Sequence, residues 1–101
     1  MIGSLHCEWD DEKNKINIKK HGVDFNDAIL VFNDEYRLED FDAVHSEYEE
    51  RWKVIGMVED ILVVIYTERG DANRIISARH AEKYEEDDYR VNRACLLASR
   101  C

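Results

Sequence analysis

Two stretches of this chain gather cations in a pattern that suits anion chemistry. The first runs from Glu8-Trp9-Asp10-Asp11-Glu12-Lys13-Asn14 to Lys20-His21-Gly22-Val23-Asp24-Phe25 and brings Lys19, Lys20 and His21 to the end of a short helix. The second runs from Tyr66-Thr67-Glu68-Arg69-Gly70-Asp71 to Arg74-Ile75-Ile76-Ser77-Ala78-Arg79, with Arg69 and Arg74 around a turn and Arg79 at the end of a strand. A guanidinium presents paired N–H donors that match two oxygens of a phosphate or carboxylate. A histidine nearby titrates close to neutrality and suits proton transfer. The chemistry that such residues imply is recognition of a compact anion.

The elements that must position these groups are legible from caps and periodicity. Leu5 to Trp9 reads as a short strand. Asp10 is an N-cap, Asp11 and Glu12 fill the first turn, Lys19, Lys20 and His21 the last, and Gly22 ends the helix, so residues 11–21 are expected to be helical. Asp24 caps a second helix whose Phe25, Ala28, Ile29 and Phe32 share a core face, ending at Asn33-Asp34. Tyr36 to Phe41 is a short strand and residues 42–50 a polar loop around His45. Arg51 to Val58 and Ile61 to Thr67 are strands joined by a Glu59-Asp60 turn, and Arg74 to Ala78 follows a turn over Arg69 to Ala72. The run Ile61-Leu62-Val63-Val64-Ile65 is apolar on both faces, which marks a central strand. Strict alternation would put Ile75, Ser77 and Arg79 on one face and Ile76 and Ala78 on the other. From Ala81 the chain is helix-forming, with Tyr84, Val91, Cys95 and Ala98 recurring every three or four residues when Asp88 is counted as the polar interruption, and residues 91–101 either frayed or packed on a partner. The expected fold is α+β in one domain spanning 1–101: two N-terminal helices packed on an antiparallel β-meander, with a C-terminal helix.

Composition narrows the classes. The chain has 101 residues, 45% of them apolar, and a net charge of −9. Such a charge opposes nonspecific affinity for nucleic acid, which needs a positive field. Yet Lys13, Lys15, Lys19 and Lys20 face only Glu12 between residues 12 and 21, so the strip is locally basic. No stretch is apolar enough for a membrane span, the N-terminus lacks a secretory pattern, and the three cysteines (Cys7, Cys95, Cys101) have no metal spacing and read as free thiols. A cytoplasmic protein without membrane contact, cofactor or metal is expected. His6 beside Cys7 makes no recognised zinc pattern.

The order of motifs resembles the BrnT family of bacterial type II toxins, which have a RelE-like ribonuclease fold. The likeness spans roughly Glu8 to Tyr89. It rests on Glu8-Trp9-Asp10 with Lys13-Asn14, Lys20-His21-Gly22-Val23 with Phe25, and Ala28 with Val31-Phe32. It continues through His45-Ser46-Glu47 with Glu49-Glu50-Arg51, Ile55-Gly56, Val63-Val64, Tyr66-Thr67-Glu68-Arg69-Gly70, Arg74 to Arg79 with Ala81, and then Glu85 and Tyr89. The resemblance implies a toxin that cleaves RNA and inhibits translation, and a BrnA-like antitoxin with a ribbon-helix-helix fold that neutralises it. Operator DNA would be reached only through that antitoxin, as a dimer or a heterotetramer with it. The chain departs from the family pattern at Asp11, where many members have proline, at His80, where many have lysine, and at Glu86, Asp87 and Asp88, where the last helix is often rich in arginine.

RNA can be cut by its own 2′-hydroxyl, provided that a site removes that proton, stabilises the phosphorane and protonates the leaving 5′-oxygen. Arg79, Arg51 and Arg69 are the candidates for the phosphate. Glu68, Lys20, His21 and His80 are the candidates for proton transfer, with His45 a further histidine. Lys19, Lys20, Arg74 and Tyr66 are the candidates for holding RNA; exposed, Tyr66 could stack on a base, and buried it is a core tyrosine with a satisfied hydroxyl. Each has a plain structural alternative: Arg79 pairing with nearby acids, Arg51 pairing with Glu49 or Glu50, Arg69 solvated at its turn, and Lys20 and His21 simply complementing the helix dipole. The competing functional class is a catalytically weak BrnT-like binding module that complexes an antitoxin and tunes operon repression, for which acids on the last helix would meet a basic partner.

Overall fold

A computed structural model describes residues 6–43, 46 and 49–99. Five strands form one sheet in the order β1-β5-β4-β3-β2, with β1 His6–Glu8, β2 Leu38–Phe41, β3 Trp52–Val58, β4 Asp60–Arg69 and β5 Ala72–His80. The expected meander is present as β3, β4 and β5, and β2 extends it antiparallel to β3. The sheet is nevertheless mixed, because β1 pairs parallel with residues 72–74 of β5. The doubly apolar β4 lies at the centre, as its sequence required. The β3–β4 reversal is centred on Glu59, at φ 62°, with Val58 and Asp60 already paired.

Helix α1 spans Asp11–His21, with the Asp10 carboxylate accepting from Glu12 N and Gly22 at φ 72° donating its N–H to Ile18 O. Its inward face is polar: Asn14 and Asn17 are buried, while Ile16 and Ile18 are exposed. Asn14 donates to Asp24 Oδ1 and accepts from Phe25 N, which ties α1 to the start of α2. Asn17 donates to Val23 O and Ala78 O and accepts from Ala78 N, so its amide replaces a strand where β1 stops covering β5.

The second predicted helix is split into α2, Phe25–Ala28, and a 3₁₀ helix, Ile29–Asn33. Phe25, Ala28, Val31 and Phe32 pack on Val54, Leu62, Val64, Tyr66, Ile75 and Ala78, which line one face of the sheet. The close approach needs Gly56, because a Cβ there would lie 2.9 Å from Val31 Cβ and 3.2 Å from its Cα and O. Two of those three atoms are backbone, so Gly56→Ala should cost about 1–2 kcal/mol of stability, measurable as a lower denaturant midpoint. An unchanged midpoint would show that the 3₁₀ helix shifts freely.

Two expectations about facing are corrected. Ile65 pairs with Ser77 but Tyr66 pairs with Ile75, so Ile76 is an extra residue in a bulge. The alternation therefore slips: Ile75 joins Ala78 in the core beneath the helices, while Ser77 and Arg79 look out from the other face. Helix α3, Lys83–Ala98, buries Glu85 and Tyr89, not the Tyr84–Val91–Cys95–Ala98 stripe, which is exposed. Glu85 turns inward because two cations await it. Tyr89 packs with Ile55, Ile61 and Val63 and donates its hydroxyl to Asp34, which also accepts from Tyr36 N and Met57 N. Asp34 thus joins the end of the 3₁₀ helix, β3 and α3. No helix is long and apolar enough to cross a membrane among the described residues.

Candidate functional site

The sheet face opposite α1 and α2 is only partly covered by α3, and its open part forms a cleft of about 500 Å³. Lys20, His21, Arg51, Lys53 and Arg79 line it together with Asp42, Ile65, Ile76, Ser77 and Tyr84. On a chain of net charge −9, four full cations and a histidine around one hollow are a strong local reversal of sign.

Each side chain arrives by an identifiable route. Lys53, Ile65 and Ser77 form one cross-strand row, and Arg79 stands in the next row opposite Val63. Arg51 lies two residues before Lys53, hence on the same face. Its backbone is fixed from three sides: its N–H donates to Ser46 Oγ, its carbonyl accepts from Asp42 N, and Thr67 Oγ1 donates to the preceding Glu50 carbonyl. Arg51 Nε is buried without a hydrogen-bond partner among the described residues. Lys20 and His21 reach the cleft because Asn17, one turn earlier, is bonded to Ala78 beside Arg79.

Glu85 organises the cations. Its side chain has no exposed surface and bridges Arg79 (Nη1–Oε1 2.8 Å, Nη2–Oε2 2.9 Å) to Lys53 (Nζ–Oε2 2.7 Å). Oε1 also accepts from Glu82 N at 2.9 Å, which closes a capping box at the start of α3. Burial opposes the Glu85 charge, but the hydrogen bonds from Arg79, the Glu82 N–H and Lys53 outweigh it and hold the carboxyl at about 2. The Arg79 pKa is raised by its hydrogen bond to Glu85. Burial works against the Lys53 ammonium, and the Glu85 hydrogen bond and charge overcome it, leaving that pKa raised.

The bidentate pair uses the Nη1/Nη2 end of Arg79, and Nη1 also donates to His80 O. A guanidinium has five N–H donors. The Nε–H makes no hydrogen bond among the described residues, and with the second N–H of Nη2 it forms another fork for an anion. His21 has a lowered pKa, through burial and then the charges of Lys20 and Arg79, which favours the neutral imidazole.

Of the residues expected from sequence, Arg79, Arg51, Lys20 and His21 are brought together. Arg69 and Glu68 lie at the far end of β4, outside the cleft, and Arg69 pairs with Glu49 at 3.5 Å. Arg74 pairs with Glu8 at 3.0 Å on the β1 side. His80 follows Arg79 and so points to the other face, 3.9 Å from Asp60. Tyr66 takes its core alternative: it is buried, its ring meets Phe32 edge-on, and its hydroxyl donates to Glu39 at 2.9 Å. Lys19 is exposed on α1, outside the cleft, and His45 lies outside the described residues. Sequence reasoning missed Lys53, although its two-residue spacing from Arg51 placed both on one strand face. It also missed Tyr84 and the inward turn of Glu85.

No curated protein matches the chain by sequence. The 1.1 Å crystal structure of the Brucella abortus ribonuclease toxin BrnT is similar in fold, with a TM-score of 0.58, 27% identity, and coverage of 78% of this chain and 99% of that one. A family profile described as the ribonuclease toxin BrnT of type II toxin–antitoxin systems matches residues 9–85, from Trp9 before α1 to the Glu85 that bridges Arg79 and Lys53. The chain belongs to the BrnT family of ribonuclease toxins.

Proposed function

We propose that this protein is an endoribonuclease toxin that cuts RNA in the Arg79 cleft without a metal, inhibits translation, and is held in check by a BrnA-like antitoxin. The observation that carries this reading is the convergence of Arg79, Lys53, Arg51, Lys20 and His21 in one hollow of an acidic protein. The polar groups there are mainly cations, which suit phosphate oxygens and not a divalent ion.

In the proposed reaction, neutral His21 takes the proton of the RNA 2′-hydroxyl. The 2′-oxygen attacks the adjacent phosphorus and the bond from phosphorus to the 5′-oxygen breaks. The leaving oxygen takes a proton from Lys20 or from the imidazolium just formed. The products are a 2′,3′-cyclic phosphate and a 5′-hydroxyl. Arg79, through its second fork, and Arg51 and Lys53 stabilise the charge that builds on phosphorus oxygens. Lys19, Arg74, Arg69 and Glu68 lie away from this path.

The test is cleavage of a single-stranded RNA in EDTA, with the ends of the products identified. Cyclic phosphate ends formed at an undiminished rate are the expected result, and intact RNA at high concentration of folded protein would defeat the proposal. The His21 pKa sets a pH dependence. Its pKa is lowered below 6.5, so the basic form is lost only as pH falls through that lower value. Rate should be flat near neutrality and fall about tenfold per unit below it, and His21→Gln should abolish that acid limb. An acid limb centred above 6.5 would assign the base elsewhere.

One observation favours the binding-module reading: Glu85 already occupies one fork of Arg79 and a donor of Lys53. Harmless expression of the folded chain, together with tight binding to a basic antitoxin, would select it.

A further inference from the structure

Tyr84 is a largely exposed aromatic side chain in the cleft lining. Tyr66 and Tyr89 are buried, with hydroxyls donated to Glu39 and Asp34. Tyr84 is 57% exposed at the start of α3, on the rim of the cation cleft. Its place is nonetheless fixed. The next residue is the buried Glu85, the Tyr84 hydroxyl donates to Glu85 Oε2 at 3.4 Å, and the Lys53 ammonium lies over the ring, 5.6 Å from its centroid, so a base would stack on the ring surface that Lys53 leaves open. An aromatic ring held in place, beside cations and with much of its surface open to water, is the arrangement on which an unpaired base stacks.

The other end of the cleft supports an extended substrate. A second hollow of about 240 Å³ is lined by Lys13, Ile16 and Lys20 and shares Lys20, His21, Ile76 and Ser77 with the first. The two hollows adjoin at Lys20, His21, Ile76 and Ser77, with the basic side of α1 at one end and Tyr84 in the lining of the other. A single strand can follow them with its phosphates on the cations and a base on the ring. In a duplex, the faces of each base are already covered by its neighbours.

We propose that Tyr84 is a stacking platform for the base next to the phosphate held by Arg79 and Lys53, and that it makes single-stranded RNA the substrate of this cleft. The inference rests on the ribonuclease reading above. Stacking of this kind discriminates by the openness of the strand more than by base identity, because every base has a π face.

The experiment uses a fluorescein-labelled, fully 2′-O-methylated RNA oligonucleotide, which cannot be cut through its 2′-oxygen, with anisotropy as the readout. Tyr84→Phe should bind within about twofold of the unaltered protein. Tyr84→Ala should bind about 5- to 150-fold more weakly and lose the preference for the single strand over its duplex. Inorganic tripolyphosphate, which needs only the cations, should bind all three proteins equally. Equal RNA affinity for Tyr84→Ala would overturn the proposal, and so would loss of tripolyphosphate binding by that variant, which would make the ring merely structural. Loss of antitoxin binding with RNA affinity retained would assign Tyr84 to a protein interface and overturn it as well. If the unaltered protein neither binds nor cuts RNA, the ribonuclease reading fails and this one falls with it; cutting that is intact in every variant removes only the Tyr84 assignment.

Discussion

Arg79→Ala should lower the rate of RNA cleavage by about 100- to 1,000-fold, the usual loss when one donor to a developing anion is removed. The loss should appear in kcat more than in KM, because in the proposed reaction the charge that the Nε/Nη2 edge would meet grows on the way to the phosphorane. The substitution also strips Glu85 of its bidentate partner, so folding has to be followed alongside activity. Arg79→Lys separates the two effects. A lysine can keep an ion pair with Glu85 but cannot hold Glu85 and present a second fork at the same time. We expect Arg79→Lys to melt close to the parent and still to lose most of the activity. The measurement is initial rate on a defined RNA at equal concentrations of folded protein. Cleavage by either variant within threefold of the parent would remove Arg79 from the reaction.

Glu85→Ala should destabilise the fold by about 3–5 kcal/mol, the range for breaking a buried ion pair by deleting one partner. Lys53 and Arg79 would then face each other across β4 without the buried carboxylate that bridges them, and the Glu82 N–H would lose its acceptor. For a domain of this size the melting temperature should drop by more than about 12 °C. The pH dependence has a definite sign. The Glu85 carboxyl is held at about 2, below its ordinary 4.5. A carboxyl whose folded pKa is depressed contributes its full stabilisation above the unfolded value and loses it as pH falls through the folded one. The contribution, about 3 kcal/mol from the size of that shift, should therefore be complete above pH 4.5 and vanish towards pH 2. Glu85→Gln keeps the shape of the side chain without the charge. The stability gap between parent and Glu85→Gln, measured by denaturant titration, should be constant near neutrality and close across that acid window. A gap of the same size at every pH would mean that Glu85 contributes packing and hydrogen bonds but not charge.

Local chemistry made α1 readable to the residue. Asp10, the acids of the first turn, the bases of the last and Gly22 all act within a few positions of one another, and each votes for the same boundaries. The β4 strand was readable because a run apolar on both faces can only be central. Residue type made Arg79 and Arg51 candidates for holding an anion, and strand pairing brings both to the lining of one cleft. The direction of Ile75 was not readable. It depends on the bulge at Ile76, which is a property of two paired strands and not of either sequence alone. The face of α3 was hidden for a similar reason. Apolar periodicity pointed to Tyr84, Val91, Cys95 and Ala98, but the buried positions are Glu85 and Tyr89, and the partners of Glu85 are 6 and 32 residues away along the chain. Hydrophobic pattern does not report a buried carboxylate until the cations beneath it are known. The family resemblance placed Arg69 at the site, and adjacency to Arg79 placed His80 there; in the fold, strand length carries the first away and alternation turns the second to the opposite face.

Asn17 has a consequence beyond anchoring α1. Beyond residue 74, β5 has no strand on its outer side among the described residues, and an unpaired sheet edge is a template on which another chain can add. The amide of Asn17 engages both the N–H and the carbonyl of Ala78, so the two groups an incoming strand would need there are already taken. A single side chain therefore caps the growth of the sheet at the point where the cleft begins. The cation face can stay open to ligand without leaving the strand beside it open to self-association.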